Sequence, residues 1–181
     1  MILYISLGLL VLLFIVGIVL YNQLIKARNL VDTAFADIDV HLLKRAQLVP
    51  TLLQITKSYA TYENALLLEI VEKRSGSHDP ASMVKADTTV SSALKEIKVI
   101  YENYPELKAN QQFLELMEQL GEIEDHLLFA RRFYNGTTRK YNTLTQAFPS
   151  SIIASIGGFK AKTFYAVSDD GQREVPLTNF N

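Results

Sequence analysis

From Ile2 to Leu20 the chain holds no charged side chain, and its only interruptions of apolar character are Tyr4, Ser6, Gly8 and Gly17. As a helix, such a run rises about 28 Å, which matches the hydrocarbon core of a bilayer. The first charge is Lys26, so all 18 Lys+Arg and all 19 Asp+Glu fall beyond the run. A secretory signal peptide would instead need a positive n-region, a shorter apolar stretch and a small-residue cleavage site. A helix lying in the interface would need a polar face, which the leucines, isoleucines and valines around Phe14 do not leave. Residues 1–21 are therefore expected to remain as a single transmembrane anchor, touching lipid through residues 2–20. Only the α-amino group precedes the span, whereas Lys26 and Arg28 follow it closely. By the positive-inside rule the N-terminus lies outside and the C-terminal domain in the cytoplasm.

Beyond the anchor the charges nearly cancel, for a formal net charge of −1. That balance offers no broad basic field for a phosphate backbone, so nucleic acid is not an expected partner. With no cysteine in the chain, disulfides, thiolate metal sites, a Cys nucleophile and a lipidated Cys are all excluded.

The clearest periodicity lies near the C-terminus, where Phe113, Leu116, Leu120, Ile123, Leu127, Ala130, Tyr134, Thr137, Tyr141, Leu144 and Phe148 recur at alternating steps of three and four. This is the seam of a long coiled-coil-like helix. Asn110 is placed to cap its start, Pro149 to stop it after Phe148, and Gly136 to permit a bend. Before it, Met83, Val90, Leu94, Ile97, Tyr101 and Tyr104 share one face of a helix. Asp79-Pro80 opens that helix and Pro105 closes it. A Ser75-Gly76-Ser77 loop ends a preceding segment bearing Leu66, Ile70 and Val71. From Asn22 to Arg74 an apolar stripe (Leu24, Val31, Phe35, Ile38, Leu42, Val49, Leu52, Tyr59) keeps its phase through Pro50. A kinked continuous helix would keep that phase, but an interior proline costs about 3 kcal/mol and a single helix of 53 residues would rise about 80 Å, so of the two a break at Pro50 is favoured. The fold class is then all-α: an N-terminal transmembrane helix, an antiparallel four-helix-type bundle over 22–149, and a short irregular C-terminal tail over 150–181. In that tail Ile152, Ile153, Gly157, Gly158, Phe159, Phe164, Tyr165 and Val167 precede the Asp169-Asp170-Gly171 turn signal. The tail either lies on the bundle, with its aromatics as buttons, or extends as an arm.

Taken in order, the chain carries the strings Tyr21-Asn22, Arg28-Asn29, Ile38-Asp39-Val40, Lys44-Arg45 ahead of Leu48-Val49-Pro50, Lys57 to Tyr59 with Glu63, Tyr104 to Asn110 with Phe113-Leu114, Glu124, Ala130-Arg131, Tyr134-Asn135, Tyr141-Asn142 and Phe148-Pro149. Together these strings resemble the LemA family of bacterial membrane proteins. Phe35 stands where that family often has Trp and His41 where it often has Gln, while Gln47 and Thr51 replace a usual Asp and Asn. The resemblance implies an N-terminal anchor on a helical bundle with no established catalytic activity.

No cofactor or metal is expected. A di-iron bundle needs Glu-x-x-His pairs, but Ile123 stands three residues before His126, and Glu122/His126 reads as a solvated i, i+4 pair. Asp37 and His41 form a second i, i+4 pair with Asp39 nearby, but with His41 in place of a more usual Gln a metal there would be peculiar to this chain, and His78 falls in a polar loop. His-Glu-x-x-His, Gly-x-Ser-x-Gly and P-loop strings do not occur.

The more informative groups are Tyr134-Asn135 and Tyr141-Asn142, seven residues apart on the last helix, with Glu124 and Arg131 on the adjoining ridge. They could meet Arg28, Asn29 or Asp39 of the first helix. These nine residues make either an interhelical polar network that fixes register or the surface for a partner. The function that follows is a membrane-anchored, non-enzymatic interaction or scaffold module, with another membrane or cytoplasmic protein as its partner. The alternatives are a ligand-sensing bundle, which needs a pocket lined by Tyr134, Tyr141 and Asn142, and an enzyme at the membrane surface, which needs clustered titratable groups.

Overall fold

The computed structural model of the chain describes residues 1–59 and 80–166. Among them the regular structure is entirely helical, as the periodicities require. Helix α1 spans Ile2–Lys57, α2 Pro80–Asn103, α3 Pro105–Lys108, α4 Gln111–Gln146 and α5 Ser150–Ile156. Asp79, the Ser75-Gly76-Ser77 loop, the Leu66/Ile70/Val71 segment, His78 and the Asp169-Asp170-Gly171 signal lie outside the described residues.

The anchor is continuous with the domain. α1 carries the apolar span, none of whose most hydropathic window is covered by protein, and continues through Pro50. The expected break at Pro50 is therefore corrected. The missing N–H and ring clash carry their penalty, yet Val49, Leu52 and Leu53 flank the proline and are fully buried. Burying a side chain of this kind contributes about 1.5–3 kcal/mol, so keeping the stripe in phase outweighs one lost hydrogen bond. The unbroken phase was a better guide than the proline.

α4 begins as its sequence dictates: the Phe113 N–H donates to Asn110 Oδ1 at 3.0 Å, satisfying one of the orphan donors of the first turn. It runs through Gly136 and ends at Gln146, two residues before the expected stop. Phe148 is exposed rather than part of the seam, because the chain has already left the helix. The tail is also more regular than expected at its start, since α5 occupies Ser150–Ile156.

The chain divides into two compact units. The first combines Met1–His41 with Glu124–Phe164, and its buried residues include Leu24, Val31, Ala34, Ile38, Leu127, Tyr134, Tyr141 and Ala154. Phe35 meets Tyr134 and His41 meets His126, so α4 runs antiparallel to α1 here. The second unit combines Leu42–Ile123 with the chain from Tyr165. Its core gathers Val49, Leu52 and Leu53 of α1, Val90, Ala93, Ile97 and Ile100 of α2, Leu107 of α3, and Phe113 and Leu120 of α4. Tyr101 stacks on Phe113 at 5.5 Å between centroids, beside that core.

Candidate functional site

In the first unit the site starts with a helix end. Gly158 adopts φ 69°, a left-handed conformation that glycine takes without a Cβ penalty. The Phe159 N–H donates to the Ala154 carbonyl at 2.9 Å and the Gly158 N–H to the Ser155 carbonyl at 3.4 Å, the Schellman arrangement that closes a helix. A Cβ on Gly157 would stand 2.6 Å from the Phe159 ring, so the ring can fold back only over glycine. Phe159 is thereby set edge-on to Tyr21, 5.5 Å between centroids, with the Arg28 guanidinium 5.8 Å from its centre.

From Phe159 to Ala166 the chain belongs to no helix or strand and forms a strap. α4 holds it by its main chain. Asn142 Nδ2 donates to the Lys162 carbonyl and the Lys162 N–H donates to Asn142 Oδ1, each at 2.8 Å. One side-chain amide thus supplies the pair of bonds that a neighbouring strand would supply. The Tyr134 hydroxyl donates to the Thr163 carbonyl at 2.8 Å. Lys162 Nζ reaches Asp32 at 3.0 Å, in an exposed ion pair. Beside them the Tyr141 phenol is buried. Burial pushes its pKa above the usual 10.0, Lys162 and Arg28 pull it back down, and Asp32 raises it.

The second unit holds the next part of the strap differently. Arg45 and Asp87 form a buried ion pair, the second Arg45 guanidinium nitrogen donates to Ser91 Oγ at 3.2 Å, and the Tyr165 hydroxyl donates to Asp87 Oδ2 at 3.2 Å. This cluster is not among the residues expected from sequence. The signal was available: Arg45 stands seven residues after Ile38 and seven before Leu52, and Asp87 falls between Met83 and Val90. A single charge on each apolar stripe implies that the two are paired.

Of the nine expected residues, Tyr134, Asn142 and Arg28 contact the strap, and Tyr141 lies within the field of its lysine. Glu124, Arg131 and Asn135 are half-buried on α4, and none of the three lacks an interaction partner. Asp39 is half-buried on α1, and Asn29 is exposed, its carbonyl accepting from Thr33 Oγ1 at 3.0 Å. Three of the nine thus engage the chain's own strap. His41 and His126, assigned above to separate helical pairs, stack on each other at 5.2 Å and 12°. Among the described residues no group of three or more His, Cys, Asp or Glu side chains is placed to hold a metal ion.

Fold and site define a membrane-associated all-α protein whose helices bind an irregular segment of the same chain. The LemA family profile matches residues 34–180, and the chain belongs to the LemA family. It is similar to magnetosome protein MamQ 2 of Paramagnetospirillum magneticum, at 21% identity over 86% of this chain and 68% of the relative. It is also similar to protein LemA of Metamycoplasma hominis, at 23% identity over 74% of this chain and 63% of the relative. MamQ of Magnetospirillum gryphiswaldense is 20% identical over 86% of this chain and 68% of its own length.

Proposed function

We propose that this protein is a membrane-tethered, non-enzymatic interaction module that presents one face of α4 to a protein partner on the cytoplasmic side. The observation that carries this is the exposure of Phe129 and Phe133, one helical turn apart, with Leu128 beside them. Their neighbour Tyr134 packs on Phe35 of α1, which stands about 21 Å beyond Tyr21 along that helix. Lipid therefore does not cover them. Large aromatic side chains left in water together are the usual anchors of protein interfaces. A ligand-sensing bundle is less well supported, because Tyr134 and Tyr141 are buried and Asn142 is bonded to Lys162.

A photo-crosslinking residue placed at Phe129 or Phe133 in intact membranes should give a discrete protein adduct, whereas one at exposed Glu118 should not. Equal labelling from all three positions, or none, would contradict the proposal. The side of the membrane is tested separately: a reporter fused after Asn181 should be active as a cytoplasmic reporter, and activity only outside would reverse the orientation.

A further inference from the structure

α5 lies beside the apolar run of α1. A Cβ on Gly17 would stand 3.8 Å from Ile153 Cδ1, so α5 meets α1 inside the apolar run. Tyr21, the first residue after that run, touches Phe159, which follows α5. Gly17 lies about 6 Å deeper along the helix axis than Tyr21 and about 13 Å deeper than Lys26. A helix lying in a membrane interface sits about 5–10 Å into the headgroup and acyl boundary.

The faces of α5 are sorted accordingly. Ser150 and Ala154 are buried and Ile153 half-buried, toward the protein. Phe148, Ile152 and Ile156, four residues apart, point away from it and are 82%, 52% and 81% exposed. No Asp, Glu, Lys or Arg occurs from Tyr141 through Phe159, while Arg139 and Lys140 precede that stretch and Lys160 and Lys162 follow it. An apolar outer face bracketed by cations suits acyl chains below and anionic headgroups above.

We infer that α5, with the Phe148-Pro149 turn, is a second membrane contact: Phe148, Ile152 and Ile156 insert into the bilayer leaflet through which α1 leaves the membrane. The occupant of this face is lipid, continuous with the lipid around residues 2–20. The domain is then held at two points and cannot swivel freely about α1. The same contact fixes where the strap begins, since the Schellman turn follows Ile156 directly.

The chain has no cysteine, so single spin labels are unambiguous. The full chain, carrying Ile156→Cys or Ile152→Cys with a nitroxide, is reconstituted in vesicles of phosphatidylcholine and phosphatidylglycerol. Exposed Phe129→Cys serves as the aqueous control and Val16→Cys as the lipid control. Collision with oxygen should exceed collision with a water-soluble nickel chelate at 156 and 152, as at 16, and the order should invert at 129. Nickel-chelate access at 156 and 152 equal to that at 129 would overturn the inference. Shielding from both reagents would overturn it as well, because protein, for example a second copy, would then cover the face. Both sites are already exposed, so a label at either displaces no core residue.

Discussion

In the first unit the main chain of Lys162 and Thr163 is held by uncharged side chains, Asn142 and Tyr134. In the second unit Tyr165 is held by a carboxylate already paired with Arg45. The difference is one of tolerance. Binding to the backbone asks nothing of the side chain at 162 or 163, and each neutral bond contributes about 1 kcal/mol. A buried ion pair is nearly balanced against its desolvation cost while both partners are present, and becomes expensive when one is removed.

The largest effect is accordingly expected at Asp87. Asp87→Ala leaves the Arg45 guanidinium buried beside Ser91 and frees the Tyr165 hydroxyl, and should cost about 3–5 kcal/mol in urea melts of the full chain in nonionic micelles. Replacing both partners, Arg45→Met with Asp87→Leu, should recover much of that loss, and no recovery would show that the cluster is not acting as a pair. Asn142→Ala should cost less, about 2 kcal/mol, since it strands one donor and one acceptor of Lys162. Tyr134→Phe loses a single neutral bond and should cost about 1 kcal/mol in the same melts. Asp32→Asn should fall below about 1 kcal/mol and vanish in high salt, because its ion pair with Lys162 is exposed. If Asn142→Ala proved as costly as Asp87→Ala, the contrast between the units would fail.

The smallest effect in the neutral range belongs to Tyr141. Its phenol is raised above 10.0 in the folded protein, so the folded state keeps a proton that the unfolded chain gives up. The stability this contributes is fully present below about pH 10 and is lost as pH rises through the folded value. Tyr141→Phe should remove that alkaline decline, as followed by phenolate absorbance and melts between pH 9 and 12.

Much of this architecture was legible in residues near one another. The anchor, the Asn110 cap, the Pro105 boundary and the α4 seam from Phe113 to Tyr141 each rest on local spacing, and each fits the structure. At Pro50 the local penalty of the proline is outweighed by the burial of Val49, Leu52 and Leu53, which depends on chain segments distant in sequence. The contacts on the strap's main chain were beyond local reading: Asn142 binds a residue 20 positions away and Tyr134 one 29 away. Periodicity marks which face of a helix is buried but not what covers it. Tyr134, Tyr141 and Asn142 could therefore be singled out as a polar face while their partner, an aperiodic strap, could not. The same limit separated His41 from His126, whose stacking depends on the register of α4 against α1.

Amide hydrogen exchange at Lys162 tests most directly whether side chains of α4 bind the main chain of the strap. That N–H is donated to a side chain and belongs to no helix or strand. Exchange there should be slow in the intact protein and should rise to the free-chain rate in Asn142→Ala, while the α4 amides around Leu127 stay protected. Exchange at the free-chain rate in the unaltered protein would contradict that binding.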